Sequence, residues 1–315
     1  MKMAPLGSQE FHLRMEEELG LLTERVEETL GSNLVCLVLG GGYGRGEGAV
    51  SLVKGREMPY NDLDLFLVVR NARRGVHLES ISREFEYRLG IDVDFSRPLT
   101  PEAVWSLPHS LMWHDLLLGH RVLSGSPDFL TSNAPAQLKE PPPRGEAVRL
   151  LLNRGVGLLW ADRVRRGLEP APDQDFVRRN YFKAALAMGR AAFLARGVAL
   201  PGREEQPAAL TKLGVSQQVV KLFEVSLEFK LCPDGHKPGS FDSLLTIWEE
   251  QFQSYLNQGL SDPELSSSAK NFLRNLRVKR LSFCHPRSYL YDALASVRKS
   301  PNLWPSLFEI WRRYH

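Results

Sequence analysis

Cysteine is scarce in this chain, with Cys36, Cys232 and Cys284 the only three in 315 residues, none of them in a Cys-x-x-Cys pair. That excludes a disulfide framework and a thiolate zinc site, and it suits reduced thiols in a reducing compartment. No apolar run approaches the ~20 residues a membrane-spanning helix needs, and the opening residues MKMAPLGSQEFHLRMEEELG hold no signal-peptide core. A cytoplasmic protein without a membrane partner is the expectation. Internal repeats and low-complexity tracts are missing too. So is Gly-Lys-[Ser/Thr], which excludes a P-loop.

What is present is an ordinary folding composition, 43% hydrophobic and 24% charged, over a length about twice that of one domain. Two domains are therefore expected. The formal charge of +3 conceals an asymmetry: residues 141–315 carry 26 Lys+Arg against 17 Asp+Glu, leaving 14 against 20 for residues 1–140. An acidic first half and a basic second half suit a carboxylate-rich centre beside a region that attracts an anion, although basic residues coating exposed helix faces produce the same count. Pro141-Pro142-Pro143 is the best linker, because polyproline is stiff and continues neither helix nor strand.

Phe11, Met15, Leu19, Leu22, Val26 and Leu30 recur at helical spacing, so the chain opens with an amphipathic helix over 9–30 that Gly31-Ser32-Asn33 ends. Residues 34–39, LVCLVL, read as a buried strand, and a glycine-rich turn follows at once. A second strand runs from Asp62 to Val69, a helix from Leu78 to Leu89, and a third strand over 90–95. Residues 48–61 are expected to form a hairpin or flap. Beyond Pro98 the pattern turns helical, first around 101–120 and then near 146–166, 174–197, 215–231, 241–257, 264–280, 287–298 and 303–313.

Three features carry chemistry. Gly40-Gly41-Gly42-Tyr43-Gly44-Arg45-Gly46 sits directly after the first strand, where missing side chains allow a sharp turn and let main-chain N–H groups reach phosphate oxygens; Arg45 adds a forked cationic contact. On the second strand, Asp62 and Asp64 project to one face about 7 Å apart while Leu63 and Leu65 face the core. Carboxylates so spaced repel each other unless a cation lies between them, and their hard oxygens select Mg²⁺ or Mn²⁺. The third strand, Ile91-Asp92-Val93-Asp94-Phe95, again sets acids on one face and supplies a further carboxylate for a two-metal centre.

At these residues the sequence resembles the nucleotidyltransferase superfamily typified by DNA polymerase beta, and most closely its small bacterial members, minimal and antibiotic-type, which often read Gly-Ser-x-x-x-Gly-Glu where this chain has GGYGRGE. The resemblance implies an α+β protein: a nucleotidyltransferase domain over 1–140, with a small mixed sheet flanked by helices, then an all-α helical domain over 144–315 that binds the acceptor. It sets Gly41 and Gly42 on the signature pair, Asp62 and Asp64 on the metal-binding pair and Asp92 on the third carboxylate, with Asp94 as the alternative ligand. Gly41, Gly42, Tyr43 and Arg45 are then the nucleotide-binding residues of the turn, and Lys183, beside Arg179 on a later helix, a further nucleotide contact. Gly42 departs from the frequent Ser, so one hydroxyl contact is lost. Lys54 and Arg56 reach the triphosphate in one reading and are solvated loop charges in the other.

The implied activity is Mg²⁺- or Mn²⁺-dependent transfer of a nucleoside monophosphate from a triphosphate, ATP for preference, to an acceptor hydroxyl, with release of pyrophosphate. The basic second half leans toward an anionic acceptor: a nucleotide, an RNA end or a protein. A nicotinamide cofactor does not fit, since a dinucleotide fold places its acid at the end of the second strand and Asp62 and Asp64 stand at the beginning. The alternative is a nucleotide-binding or antitoxin-like module without turnover. Arg280 and His285 also match the Arg-x4-6-His pattern of HEPN ribonucleases, a short pattern that a basic helical region produces by chance. His109, His114 and His120 stand in no register with the acids and read as structural.

Overall fold

In the computed structural model of the protein the described residues are 2–72, 77–262, 265, 269–277, 282, 284–294, 296–298 and 300–314. They form an α+β fold in two compact units, one of Met1–Pro142 with Glu228–His236, the other of Pro143–Leu227 with Lys237–His315. The segment 228–236, expected within the helical half, thus packs on the first unit.

The first unit begins with α1 (Gln9–Leu30), started by Ser8, whose Oγ accepts the Phe11 N–H at 3.2 Å. β1 (Leu34–Leu39) follows, then a short helical turn, α2 (Gly41–Gly44), and a hairpin of β2 (Val50–Val53) and β3 (Arg56–Pro59). Lys54 and Gly55 turn that hairpin with φ of 52° and 79°, the positive pair that a two-residue loop matching strand twist requires. Next come β4 (Leu63–Val69), α3 (Glu79–Leu89), β5 (Val93–Phe95), α4 (Pro101–Trp105), α5 (Leu111–Leu118), β6 (Arg121–Ser124) and α6 (Phe129–Asn133).

Four strands order as β5-β4-β1-β6, with β1 antiparallel to both neighbours and β4 parallel to β5. β1 is an unbroken apolar run because it lies inside the sheet with a packed layer on each face. Leu37, Leu39, Leu63, Leu65 and Leu67 meet Phe11, Met15, Leu19 and Leu22 of α1 and Ile81 and Phe85 of α3. Cys36, Val38 and Val68 meet Val104, Leu116 and Leu130 on the other face. Each fully buried leucine or phenylalanine contributes about 1.5–3 kcal/mol, so this double-sided core is what fixes the strand register.

The sequence places the helix over 9–30 and the strand over 34–39 where the structure has them. The helix expected around 101–120 is two, α4 and α5, because Pro108 has no N–H to continue the first and restricts the residue before it. β6 was not anticipated; four residues, Arg-Val-Leu-Ser, carry too little alternation to read as a strand.

The second unit contains α7 (Glu146–Arg165), α8 (Phe176–Arg196), α9 (Gln206–Lys212), most of α10 (Gln217–Leu231), α11 (Phe241–Asn257), α12 (Ala269–Leu276), α13 (Ser288–Leu294) and α14 (Trp304–Tyr314). Ala192, Phe193, Leu210, Val220 and Phe223 form one of its cores. Among the described residues no helix is long and apolar enough to cross a membrane.

Candidate active site

The glycine turn and β4 are built against each other. The Gly40 N–H donates to the Asp64 carbonyl at 2.8 Å, and the Gly44 N–H to Gly40 O at 2.8 Å, which closes α2. Gly41 has φ of +58°, and a Cβ there would overlap Oδ2 of Asp64 and lie 2.8 Å from its Cγ. Gly44 is pressed on the end of β1, where a Cβ would be 2.8 Å from the Leu39 carbonyl carbon. Only glycine fits either position. At Gly42 the nearest atom to such a Cβ is Glu47 O at 3.5 Å, ordinary contact.

Around this turn a buried tyrosine and an asparagine tie the loop to the start of β4. Tyr43, 1% exposed, donates its hydroxyl to Ala49 O at 2.7 Å and accepts the Tyr60 N–H at 3.0 Å. Burial pushes that phenol far above its ordinary range. Asn61 Oδ1 accepts the Ala49 N–H at 2.6 Å, immediately before Asp62. The Tyr43 ring is therefore core, and only its main chain takes part in the turn. Neither the Tyr43 anchorage nor the Asn61 bond was read from the sequence.

Leu63 and Leu65 are buried against α1 and α3, whereas Phe66 and Val68 pack on the opposite face. Alternation therefore puts Asp64 on the face that carries Phe66, whose ring meets Trp113 edge-on at 5.7 Å. Across the parallel ladder Asp64 pairs with Asp94 and Leu63 with Val93, while the Leu63 N–H donates to Asp92 O at 2.9 Å. Asp94 is thus the acid in register with Asp64. Asp92 precedes β5 as Asp62 precedes β4. Asp62 and Asp64 are half-buried, Asp92 and Asp94 exposed. Among the described residues no three His, Cys, Asp or Glu side chains are grouped as a ready set of metal ligands. The donors on offer are carboxylate oxygens alone, the type that Mg²⁺ and Mn²⁺ take, commonly one or two at a time with substrate phosphates completing the shell.

Arg45 reaches Glu47, its Nε donating to Oε2 at 3.2 Å, and Lys230 Nζ donates to the same oxygen at 2.6 Å. Burial raises the Glu47 carboxyl, but the Lys230 ammonium and the Arg45 guanidinium outweigh it and leave the group below the ordinary carboxylate range. The segment carrying Lys230 is fixed further along, where Asp234 accepts Ser51 Oγ and the Leu52 N–H, each at 2.7 Å. Phe229 meets Tyr60 edge-on at 5.9 Å. Sequence reading found none of these partners, because 183 residues separate Glu47 from Lys230. Lys54 lies in the turn of the β2–β3 hairpin and Arg56 begins β3, both exposed.

The remaining candidates stand on other elements. Lys183 is half-buried on α8 of the second unit, and Arg179 on the same helix is paired with Asp173 through two bonds of 3.0 and 2.8 Å. Phe182 and Phe193 of its apolar stripe are core. His109, His114 and His120 each bond a main-chain carbonyl, of Glu140, Leu138 and Leu116 respectively, which is the structural role expected. Arg280 lies outside the described residues. His285 Nδ1 accepts the Arg287 N–H at 3.2 Å.

No protein-family model matches the sequence, and no curated protein matches it. Among the solved structures that match are the following two. One is spectinomycin adenyltransferase AAD(9) from Enterococcus faecialis with ATP and spectinomycin, at 12% identity and a TM-score of 0.47, covering 75% of this chain and 99% of that one. The other is a nucleotidyltransferase-like protein from Exiguobacterium sibiricum 255-15, at 12% identity and a TM-score of 0.34, covering 89% of this chain and 91% of that one.

Proposed function

We propose that the first unit transfers a nucleoside monophosphate from a nucleoside triphosphate, ATP for preference, to an acceptor hydroxyl. The observation that carries the reading is the contact between Gly41 and the Asp64 carboxylate, with Asp94 in register on the next strand. The main chain of a glycine turn thereby adjoins carboxylates of the type that hold Mg²⁺.

Asp62 and Asp64 would hold the metal, with Asp92 as third carboxylate and Asp94 as its alternative. Bound there, Mg²⁺ or Mn²⁺ supplies charge neutralisation on the phosphates and a more acidic acceptor hydroxyl. The main chain of Gly41 to Tyr43 and the Arg45 guanidinium bind the triphosphate and orient it for in-line attack. The acceptor oxygen bonds the α-phosphorus, the bond to the β-phosphate oxygen breaks, and pyrophosphate leaves. The acceptor's proton passes to the third carboxylate. For Lys183 the proposal is a further contact to the nucleotide. The excess of cations in residues 141–315 supports an anionic acceptor, such as a nucleotide, an RNA end or a protein.

Incubation with each labelled triphosphate, Mg²⁺ and a cell extract tests the reading. Label should move to one class of molecule with stoichiometric pyrophosphate. Background pyrophosphate and no labelled fraction would replace the enzyme with a nucleotide-binding module.

A further inference from the structure

We infer that Glu47 is a positioning residue which holds Arg45 and Lys230 at the glycine turn as a preset pair of cations for the polyphosphate tail of the nucleotide. This rests on the nucleotidyl-transfer reading above and adds to the motif's Arg45 and Glu47 a lysine, Lys230, that the motif does not contain.

Glu47 is rooted on the turn itself, since its N–H donates to Gly42 O at 2.8 Å. Its Oε2 receives both cations. An arginine held through Nε directs its two terminal nitrogens elsewhere, and the Lys230 ammonium meets the same carboxylate oxygen from the 228–236 segment. One carboxylate thus gathers two cations beside the turn, where a triphosphate needs more than one counter-charge. The three side chains are 25–30% exposed, so the pair is open to an incoming anion rather than sealed.

Lys230 is also kept from drifting. Asp234 fastens its segment to the β2 strand, and Phe229 packs on Tyr60, two residues before Asp62. The 228–236 segment is thus a strap that brings a cation to the turn, and Glu47 sets where that cation stops. A salt bridge serving stability alone has no reason to distinguish nucleotides by phosphate number. The positioning role does.

The test compares ATP and AMP affinity by calorimetry with Mg²⁺, alongside melting temperatures, for wild type, Lys230→Met, Glu47→Gln and Glu47→Asp. Lys230→Met should weaken ATP by about tenfold while AMP moves by less than about twofold. Glu47→Gln should do the same more weakly, and Glu47→Asp should restore most of the loss. ATP bound by Glu47→Gln as well as or better than by wild type would overturn the inference, as would equal losses for ATP and AMP that track a fall in melting temperature. A wild type that binds no ATP removes the underlying reading and this inference with it. A wild type that binds ATP and loses transfer on Asp64→Asn, with the ATP-to-AMP ratio unmoved by Glu47→Gln, removes this inference alone.

Discussion

The carboxylate of Asp64 lies against the main chain of Gly41 so closely that a Cβ at residue 41 would overlap Oδ2. The next residue, Gly42, has ordinary room. Neighbouring glycines of one motif are therefore under different constraints. Gly41→Ala must leave a positive φ that costs about 1–2 kcal/mol for an L-residue and must displace Asp64, so transfer should fall by about 10²-fold. Gly42→Ser should keep its activity and lie within about 0.5 kcal/mol of wild-type stability. Pyrophosphate release and urea unfolding measure both. Equal loss for the two variants would contradict the geometry.

The acids are expected to trade function against stability. Asp64→Asn should lower Mg²⁺-dependent transfer by about 10²-fold or more and raise the metal-free melting temperature, because like charges on one face are relieved. Asp92→Asn and Asp94→Asn discriminate the third carboxylate: the deeper loss identifies it. Undiminished transfer in all three variants would end the metal-centre assignment.

Tyr43→Phe should act on folding rather than on nucleotide affinity. Removing the hydroxyl takes one hydrogen bond from Ala49 O and one from the Tyr60 N–H, leaving these two groups their mutual bond of 3.3 Å, at about 0.5–1.5 kcal/mol. Denaturant unfolding should register that cost with the KM for triphosphate little changed. A large rise in KM without loss of stability would return the ring to the nucleotide.

The Glu47 carboxyl sits below its ordinary value of 4.5, since Lys230 and Arg45 outweigh the burial that raises it. A depressed folded-state value means the stabilisation is complete above the unfolded value and is lost as pH falls through the folded one. Lys230→Met should therefore lower stability at neutral pH and flatten the acid limb, the variant converging on wild type as pH falls below about 4.5. Superimposable acid-unfolding curves for variant and wild type would exclude the pairing.

Local chemistry was legible, and distant contact was not. Phe11 to Val26 spelled out α1, LVCLVL spelled out β1, and Asp62 to Val69 marked a strand whose polar end meets a glycine turn, since each signal is a short-range periodicity. Register between β4 and β5 is a tertiary outcome, so the sequence left Asp92 and Asp94 as alternatives. Asn61 beside the DxD pair was visible as a letter but its bond to Ala49 was not. The 228–236 strap had no signature at all: Lys230 and Asp234 look like the charged end of a helix and a turn, and only the long return of the chain brings them to Glu47 and Ser51.

Because residues 228–236 belong with Met1–Pro142, the backbone passes between the two units three times, at 142–143, 227–228 and 236–237. Severing the gene after Pro142 would release an incomplete first unit, missing the lysine that pairs with Glu47 and the aspartate that secures the hairpin. Inherited or engineered exchange of the helical half would have to carry nine residues of its partner's fabric along, so the two units are expected to travel together through recombination.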